Sequence, residues 1–401
     1  MPPRWTVGNL ALVMQSHQYR ISPHAASWND ATIPDAGAQL VLAFGPPRVD
    51  GAPEASWFAA FAERYPAAAR VYCSAGGQIA GTDIVDDDVV VTAVRFDHGH
   101  VRAAAGTLAT GDAGRALGAQ LAATLPHERL RHVLLLADGL RIAADPLLAG
   151  LADGLPAGVV VSGGLGADGP RFHEVLVGLD GVPGPGGAVA IGFYGDRIEV
   201  GTGAVGGWEL FGPDRLVTRA SGNVVYEFDG EPALALYKRY LGPLAAELPA
   251  SGLLFPLALR TRDADTGVVR SVSGVDEAAK SVHFAGDVPE GMYVRMMKAN
   301  HDRLIDGAGV AAALATPRGG TSMAAESDVL SLLISCVGRR WVLGQRAEEE
   351  LEAVRDALGT PAVLAGFYSY GELAPVAGGA RGLQACMLHN QTMTVTTFCE
   401  R

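Results

Sequence analysis

Three polar segments near the C-terminus carry the residue types best suited to chemistry or ligand binding. They read SCVGRR, GFYSYGEL and LHNQT. The candidate site residues are Cys336 and Arg339 in the first segment, Tyr368, Ser369, Tyr370 and Glu372 in the second, and His389, Asn390, Gln391 and Thr392 in the third. Together they offer a thiol, hydroxyls, a carboxylate, amides, an imidazole and a guanidinium, a set that suits a site for a small polar ligand.

Each segment has a chemical interpretation and a structural one. A cationic loop beside Cys336 would lower the pKa of the thiol and make it nucleophilic, whereas a cysteine at a strand end is otherwise an ordinary core residue. His389 would donate a hydrogen bond, bind a metal or ligate a haem iron, or it is a polar residue of a turn centred on Asn390. Tyr368 and Tyr370 serve either a ligand rim or the core.

The other histidines and loops give weaker signals. His98 and His100 flank a glycine, at a spacing that places both on one side of a strand, but no third metal ligand accompanies them. His173 and His283 lie on or near expected strands and are alternative axial ligands. The chain has no HExxH, CxxCH or GxSxG sequence, so it lacks the signatures of zinc proteases, c-type cytochromes and common serine hydrolases. The GGLGADG stretch is not followed by GKS or GKT and indicates a turn.

A unit that recurs three times must position these residues. An apolar run, an amphipathic stretch and a second apolar run occur at 39–48 and 70–79, at 132–140 and 158–166, and at 330–340 and 363–373. Each predicts a strand, a helix and a strand, with a serine in the closing loop: Ser74, Ser162 or Ser369. Only the third copy carries the polar segments, and we expect them to converge at one end of the last sheet.

Each unit leads into two β-branched runs around a short polar turn, which predict a β-hairpin. The hairpins read DDVVVTAVRF-DHGH-VRAAAG, GGAVAIGFY-GD-RIEVGTGAV and LQACML-HNQ-TMTVTTF. Between the second and third copies, ALALYKRYL predicts a helix ending at Gly242, and LLFPLALR, VVRSVSGV and KSVHFAG predict strands. The predicted class is α/β, with mixed, largely antiparallel sheets and covering helices, built from internally repeated strand-helix-strand-hairpin modules.

The composition of the chain limits the classes of function that it can have. The 401 residues suffice for two or three domains, and 49% hydrophobic against 18% charged residues indicates a folded chain. A net charge of −12 without a Lys/Arg cluster argues against a nucleic-acid partner. The absence of a long apolar run or a cleavage-site pattern argues against membrane insertion and a signal peptide. Four cysteines without CxxC spacing indicate reduced thiols and predict a cytoplasmic protein.

Several longer segments resemble the FIST family of sensory proteins. They are residues 218–242 (TRASGNVVYEFDGEPALALYKRYLG), residues 284–297 (FAGDVPEGMYVRMM), ISCVGRR, GFYSYGELAP and LHNQTMTVT. The resemblance implies an N-terminal extension at 1–30, a FIST N-terminal domain at 31–230 and a FIST C-terminal domain at 231–401. It also implies a sensor of small ligands in bacterial signal transduction, with amino acids proposed as ligands. Some stand-alone members are haem proteins that sense nitric oxide and work with a histidine kinase or a cyclic-di-GMP enzyme.

Three hypotheses follow from the residues and the resemblance. In the first, the protein binds b-type haem and senses nitric oxide. His389 is the axial ligand, Arg339 or Arg340 pairs with the propionates, and the alternative axial ligands are His98, His100, His173 and His283. In the second, it is a non-haem sensor of an amino acid or similar metabolite, with Glu372 taking an ammonium group and Arg339 a carboxylate. In the third, Cys336 is the nucleophile of an enzyme. We favour a sensor without catalytic output, forming a homodimer and acting through a partner.

Overall fold

The structure is a computed structural model that describes residues 14–21, 37–47, 58, 61–108, 113–262, 265–316, 329–359, 362–376 and 386–401. The helices with both ends in these ranges are α1 Gly114–Thr124, α2 Ala144–Gly154, α3 Ala233–Leu241, α4 His301–Ala315, α5 Val337–Leu343 and α6 Ala347–Leu358. Residues 58 and 61–64 are also helical. Short 3-10 helices span Gly169–Arg171, Gly242–Glu247, Ala250–Leu254 and Gly344–Arg346.

The strands of the first half are β1 Gln15–Ile21, β2 Leu40–Gly45, β3 Ala69–Ser74, β4 Gln78–Ala80, β5 Asp83–Val85, β6 Val89–Arg95, β7 His100–Thr107, β8 Leu130–Asp138, β9 Val160–Gly166, β10 Val177–Leu179, β11 Gly187–Tyr194 and β12 Ile198–Val205. Those of the second half are β13 Glu209–Ser221, β14 Val224–Phe228, β15 Glu231–Pro232, β16 Leu257–Arg260, β17 Asp265–Arg270, β18 Val272–Asp276, β19 Ser281–Phe284, β20 Tyr293–Lys298, β21 Val329–Cys336, β22 Ala362–Ser369, β23 Gly371–Pro375, β24 Cys386–His389 and β25 Met393–Glu400.

Three sheets are each built around one parallel strand pair. Sheet I has the order β1-β6-β2-β3-β10, sheet II β7-β11-β8-β9-β23-β24, and sheet III β12-β25-β21-β22-β4-β5. The parallel pairs are β2–β3, β8–β9 and β21–β22, and the other pairings are antiparallel. A crossover helix joins the two strands of a parallel pair, as this geometry requires. The predicted mixed, largely antiparallel α/β class is therefore confirmed; repetition of the modules as such stays a prediction.

The three sheets exchange short strands in a cycle. After β3 the chain forms β4 and β5, which extend sheet III beside β22. After β9 it forms β10, which pairs with β3 in sheet I. After β22 it forms β23 and β24, which extend sheet II beside β9. In each sheet, the second strand of the parallel pair therefore has as its outer neighbour a strand that follows the parallel pair of another sheet in the chain.

The three predicted hairpins are wrong, although their six strands exist. β6 pairs with β1 and β2, whereas β7 pairs with β11 in the next sheet. Likewise β11 lies in sheet II and β12 in sheet III, and β24 lies in sheet II and β25 in sheet III. The short polar connections are corners between sheets. The physical reason is that turn residues reverse the chain but do not choose its hydrogen-bonding partner.

The predicted strands between the second and third units form a separate eight-stranded sheet. Sheet IV has the order β17-β16-β20-β13-β14-β19-β18, with β15 beside β14. Helix α3 packs on it through Leu234, Leu236 and Tyr237, and Gly242 ends this helix at φ +56°. Sheet IV is inserted between β12, which lies beside β25, and α4, which covers sheet III.

The inner faces of sheets I, II and III enclose one common core, which includes Leu42, Leu134 and Leu332. The outer faces are covered by helices. α1 and α2 cover sheet II, α4 and α6 cover sheet III, and helical residues Phe58 and Phe61 cover sheet I. This arrangement buries both faces of the central strands, which explains their nearly continuous apolar sequences.

The closing serines are not equivalent. Ser74 and Ser369 are the last residues of β3 and β22, and each lies opposite the last residue of its parallel partner strand. The residue in this position of sheet II is Gly166. Ser162 lies inside β9, where it hydrogen-bonds His132 Nε2 at 2.9 Å in the core.

Candidate functional site

The three polar segments meet where the parallel strands of sheet III end. Cys336 lies opposite Ser369 across β21 and β22. The backbone N–H of Cys336 donates to Thr392 O at 3.3 Å, and the N–H of Thr392 donates to Glu372 Oε2 at 3.1 Å. The hydroxyl of Ser369 donates to Glu372 Oε1 at 2.7 Å. We call Cys336, Ser369, Glu372 and Thr392 the strand-end cluster.

Loops from the other sheets join this junction through backbone hydrogen bonds. The N–H of Gly76, after β3, donates to Tyr368 O at 2.8 Å, and the N–H of Tyr370 donates to Leu165 O in β9 at 3.1 Å. The N–H of Ala167 donates to Ser74 O at 2.9 Å. The carboxyl ends of the parallel strands thus adjoin, and this edge is where open α/β sheets commonly bind ligands.

Burial dominates the electrostatics of the strand-end cluster. It raises the pKa of Glu372 to about 8, although hydrogen bonds from Ser369 and Thr392 and the charge of Arg339 act in the opposite direction. Burial, and then the Glu372 carboxylate, raise the pKa of Cys336 to about 12 despite nearby backbone N–H groups. The thiol is therefore protonated at neutral pH, and the lowered pKa expected beside the arginines is not found.

Arg339 is turned away from this cluster and is fully buried in an ion pair. Its Nε lies 2.6 Å from Glu350 Oε2, and its terminal nitrogens donate to the carbonyl oxygens of Gly206 and Leu304. The Tyr368 hydroxyl donates to Glu350 Oε1 at 2.9 Å. Arg339 and Tyr368 thus hold α5, α6 and α4 on the outer face of sheet III. The guanidinium of Arg339 is paired with the Glu350 carboxylate and not with a ligand.

Arg340, the other arginine of SCVGRR, pairs across sheets with an exposed acid. Its Nη1 lies 2.7 Å from Asp86 Oδ1, and its guanidinium carbon is 5.3 Å from the centre of the Tyr368 ring. It therefore lies at the edge of the junction and not inside it.

The turn that follows β24 is clamped by sheet IV and its neighbouring segments. Asn390 Oδ1 accepts from the N–H of Ser271 at 3.2 Å, and Gln391 Nε2 donates to Leu253 O at 3.2 Å. The indole N–H of Trp208 donates to Gln391 O at 2.8 Å. The polar side chains of HNQT thus form the contact between sheet IV and the strand-end cluster, a role that the sequence did not indicate.

His389 lies inside this contact and is 3% exposed. Its Nε2 is 3.3 Å from Ala374 O, and no described residue hydrogen-bonds to its Nδ1. Burial lowers its pKa to about 4, the Ala374 carbonyl opposes this, and the charge of Arg270 adds to it. A neutral imidazole suits iron, but a haem does not fit here, because the ring is enclosed beside a carbonyl oxygen and near a guanidinium.

The alternative histidines are dispersed. His98 Nε2 lies 2.8 Å from Arg197 Nη1, and His100 stacks on Tyr194 with ring centres 5.0 Å apart. His283 is part of β19 and half-buried, while His173 is exposed on the loop after β9. Across the described ranges, no group of three or more His, Cys, Asp or Glu is arranged to hold a metal ion.

An exposed group of aromatic rings borders the strand-end cluster. Phe172 stacks on Tyr370 with ring centres 4.7 Å apart and planes 8° apart, and Trp341 meets Phe172 edge-on at 6.1 Å. Phe172 is 57% exposed and Trp341 38% exposed. We call Phe172, Tyr370 and Trp341 the aromatic rim. Of these three, only Tyr370 is among the site residues predicted from the sequence. The GGLGADG stretch, for which the sequence indicates a turn, includes the last four residues of β9.

Asp168 holds the loop of the aromatic rim in place. Its carboxylate accepts the backbone N–H groups of Phe172, His173 and Glu174 at 2.9, 2.8 and 2.9 Å, and also the Tyr370 hydroxyl. Burial acts to raise the pKa of Asp168, but these four donors together lower it. Phe172 is kept in the left-handed region, φ +50°, which aromatic residues rarely adopt.

Comparison with known families places the chain. Residues 39–231 match the FIST N domain and residues 233–375 match the FIST C domain. Together these matches cover more than half of the chain, and the protein belongs to the FIST-domain family, whose domains are sensory. The predicted family is confirmed. The HNQT segment lies beyond the matched residues.

Other comparisons add little. No curated protein matches the chain. Among solved structures it is similar to the cyanuric acid hydrolase from A. caulinodans, at 10% identity and a TM-score of 0.34, with 97% of this chain and 99% of that chain covered. This likeness is too low to carry an argument. Within the described ranges, no helix has the length and apolar character needed to cross a bilayer.

Proposed function

We propose that the protein is a sensor whose small-molecule ligand stacks on the aromatic rim beside the strand-end cluster. The observation that carries the proposal is the exposure of Phe172, stacked on Tyr370 at the carboxyl ends of the parallel strands. Large exposed aromatic rings on a fixed loop favour binding of a planar or apolar group. An amino acid with an aromatic side chain, or a metabolite of similar shape, suits this surface.

The polar contacts differ from those expected from the sequence. Arg339 is already paired with Glu350, and the raised pKa of Glu372 favours its neutral form at pH 7. Neither residue therefore offers a free charge for a carboxylate or an ammonium group. Ligand binding at Tyr370 would instead affect Ser369, its neighbour in the chain. The hydrogen bonds of Glu372 to Ser369 and Thr392 would pass this change on to the contact with sheet IV. That route gives the sensor an output surface away from the ligand.

A thermal-shift screen with the twenty amino acids tests this proposal. The aromatic ones should raise the melting temperature in a concentration-dependent way and quench the fluorescence of Trp341. Phe172→Ala should abolish both effects. Val182→Ala is the matched control, because Val182 has the same exposed fraction, 57%. Stabilisation that is absent for every amino acid, or that survives in Phe172→Ala, would reject the proposed site.

A second candidate is a haem b protein that senses nitric oxide and signals through a histidine kinase or a cyclic-di-GMP enzyme. The observation that favours it is that His173 is exposed and directly follows Phe172 of the aromatic rim in the chain. Haem would supply the iron that binds nitric oxide, and His173 would be its protein ligand. Haem-reconstituted protein should show a Soret band that changes in His173→Ala and not in His389→Ala. No Soret band would exclude this candidate.

The cysteine-dependent enzyme receives less support. A protonated, 6% exposed thiol is a poor nucleophile. Selective alkylation of Cys336 at neutral pH would reopen that hypothesis, whereas slow labelling of all four thiols would count against it.

A further inference from the structure

We propose that Arg270 forms a second binding site, for a small monocarboxylate, between sheet IV and strand β24. The site is separate from the aromatic rim and does not rest on the function proposed above. It is argued from three features of the described residues: none accepts from one terminal nitrogen of this buried guanidinium, none offers it a close counter-ion, and two polar atoms in the adjoining segments have no partner among them.

The guanidinium of Arg270 uses only part of its donor capacity. Nε donates to Asp287 O at 2.9 Å, and Nη1 donates to Leu388 O at 2.8 Å and Val269 O at 3.2 Å. Arginine has five N–H donors, two of them on Nη2. Among the described residues none accepts from Nη2. A forked acceptor such as a carboxylate suits these remaining donors.

In the part of the chain that the structure describes, the charge of Arg270 also has no close anionic partner. Its side chain is 2% exposed, and no carboxylate of a described residue lies within 4 Å of it. Two acids act on it without forming an ion pair: burial lowers the pKa of Arg270, while the charges of Asp145 and Asp287 oppose this. Burying a cation without an anion is unfavourable by several kcal/mol. An anionic ligand would relieve that cost.

The same two acids limit the charge of the ligand. Asp145 and Asp287 lie together, since Asp145 Oδ2 accepts the backbone N–H of Asp287 at 3.3 Å. Burial first, and Asp145 second, raise the pKa of Asp287. A doubly charged phosphate would be repelled by these carboxylates more strongly than a singly charged ligand. The geometry therefore favours a monocarboxylate.

Two neighbouring buried atoms indicate what the rest of the ligand offers. Ser271 Oγ and His389 Nδ1 lack hydrogen-bond partners among the described residues, and Ser271 and His389 are 5% and 3% exposed. Since Nε2 of His389 faces a carbonyl oxygen, Nε2 carries the proton and Nδ1 accepts. A hydroxyl group next to the carboxylate would satisfy such an acceptor. Glycolate is the smallest probe with both groups.

Gly286 provides a variant that leaves Arg270 present. A Cβ at Gly286 would lie 2.9 Å from Arg270 Nε, 3.0 Å from its Cζ and 2.9 Å from Leu388 Cδ2, so Gly286→Ala must shift the guanidinium together with the Leu388 side chain. The matched control is Gly274→Ala in the same sheet. A Cβ there meets nothing closer than 3.7 Å.

The test is calorimetric titration of the full chain with sodium glycolate, acetate and inorganic phosphate at constant ionic strength. Saturable glycolate binding is expected, with acetate weaker and phosphate undetectable. Arg270→Lys and Gly286→Ala should each weaken glycolate binding about tenfold or more, because lysine lacks the planar fork. Gly274→Ala and Phe172→Ala should bind as the wild type does.

The proposal would be overturned by the absence of saturable glycolate binding, by equal binding in Gly286→Ala and Gly274→Ala, or by phosphate binding as tight as glycolate binding. Should Arg270→Lys fail to fold, Gly286→Ala and Ser271→Ala decide the matter. Loss of glycolate binding in Phe172→Ala would mean that the carboxylate binds at the aromatic rim, which would reject the Arg270 site and leave the proposed function standing.

Discussion

Replacing Glu372 with glutamine tests whether burial controls the strand-end cluster. In the folded chain the pKa of Glu372 is about 8, against 4.5 for an ordinary glutamate. The folded state therefore holds its proton where the unfolded state has lost it. The associated stability is complete below pH 4.5 and is lost as the pH rises towards 8.

The size of this effect follows from the shift in pKa. Each pKa unit corresponds to about 1.4 kcal/mol, so the interval between 4.5 and about 8 gives a loss of at most about 5 kcal/mol. Glutamine has a similar shape and no titration. Its amide can still accept from Thr392 and donate to Ser369, whose hydroxyl is free to rotate.

The assay is urea unfolding followed by circular dichroism at several values between pH 5 and pH 8. The free energy of unfolding of Glu372→Gln relative to the wild type should rise steadily across this range, by several kcal/mol. Glu352→Gln, at an exposed position of α6, is the control and should follow the wild type. If the difference between Glu372→Gln and the wild type is constant from pH 5 to pH 8, the reasoning is refuted.

Three further predictions concern the framework. Arg339→Met should destabilise the protein by about 3–5 kcal/mol in urea unfolding, because it leaves a buried carboxylate unpaired. Arg340→Met should lower the free energy of unfolding by less than about 1 kcal/mol. Equal losses in the two variants would contradict this ranking. Burial lowers the pKa of His132 from 6.5 to about 3, so the associated stability is complete above pH 6.5 and is lost as the pH falls towards 3. The loss is at most about 5 kcal/mol, and His132→Gln should flatten it in an acid titration of stability. An unchanged pH profile in this variant would refute the prediction. Gly366→Ala should prevent stable folding, because φ is +154° at this position and a Cβ would lie 1.8 Å from Leu333 O. The expected loss in the free energy of unfolding is about 3 kcal/mol or more. A melting temperature near that of the wild type would contradict this prediction.

Local sequence patterns predicted the strands well and their partners poorly. The apolar runs that became β8, β9, β21 and β22 are unambiguous, since their period and length depend on residues within each strand. The turn DHGH suits a hairpin equally well, yet β6 and β7 belong to different sheets. Partner choice depends on the strands already present at each sheet edge, and those come from distant parts of the chain.

The same distinction holds for the candidate site. The approach of Cys336, Ser369 and Glu372 was expected, because adjacent strand ends follow from a parallel pair. The environment of Arg339 was not, since Glu350 lies on another helix and its burial depends on packing. Nor does any pattern mark Phe172, whose importance arises from contact with a ring about two hundred residues later.

The cyclic exchange of strands bears on how the protein can be divided. A cut near residue 232, between the two matched FIST domains, would take β23 and β24 from the edge of β9 and leave β4 and β5 without β22. Both fragments would expose unpaired strand edges, which favour aggregation. Sheets I to III should therefore unfold in one cooperative transition, and separately expressed halves should recover the native structure only when mixed.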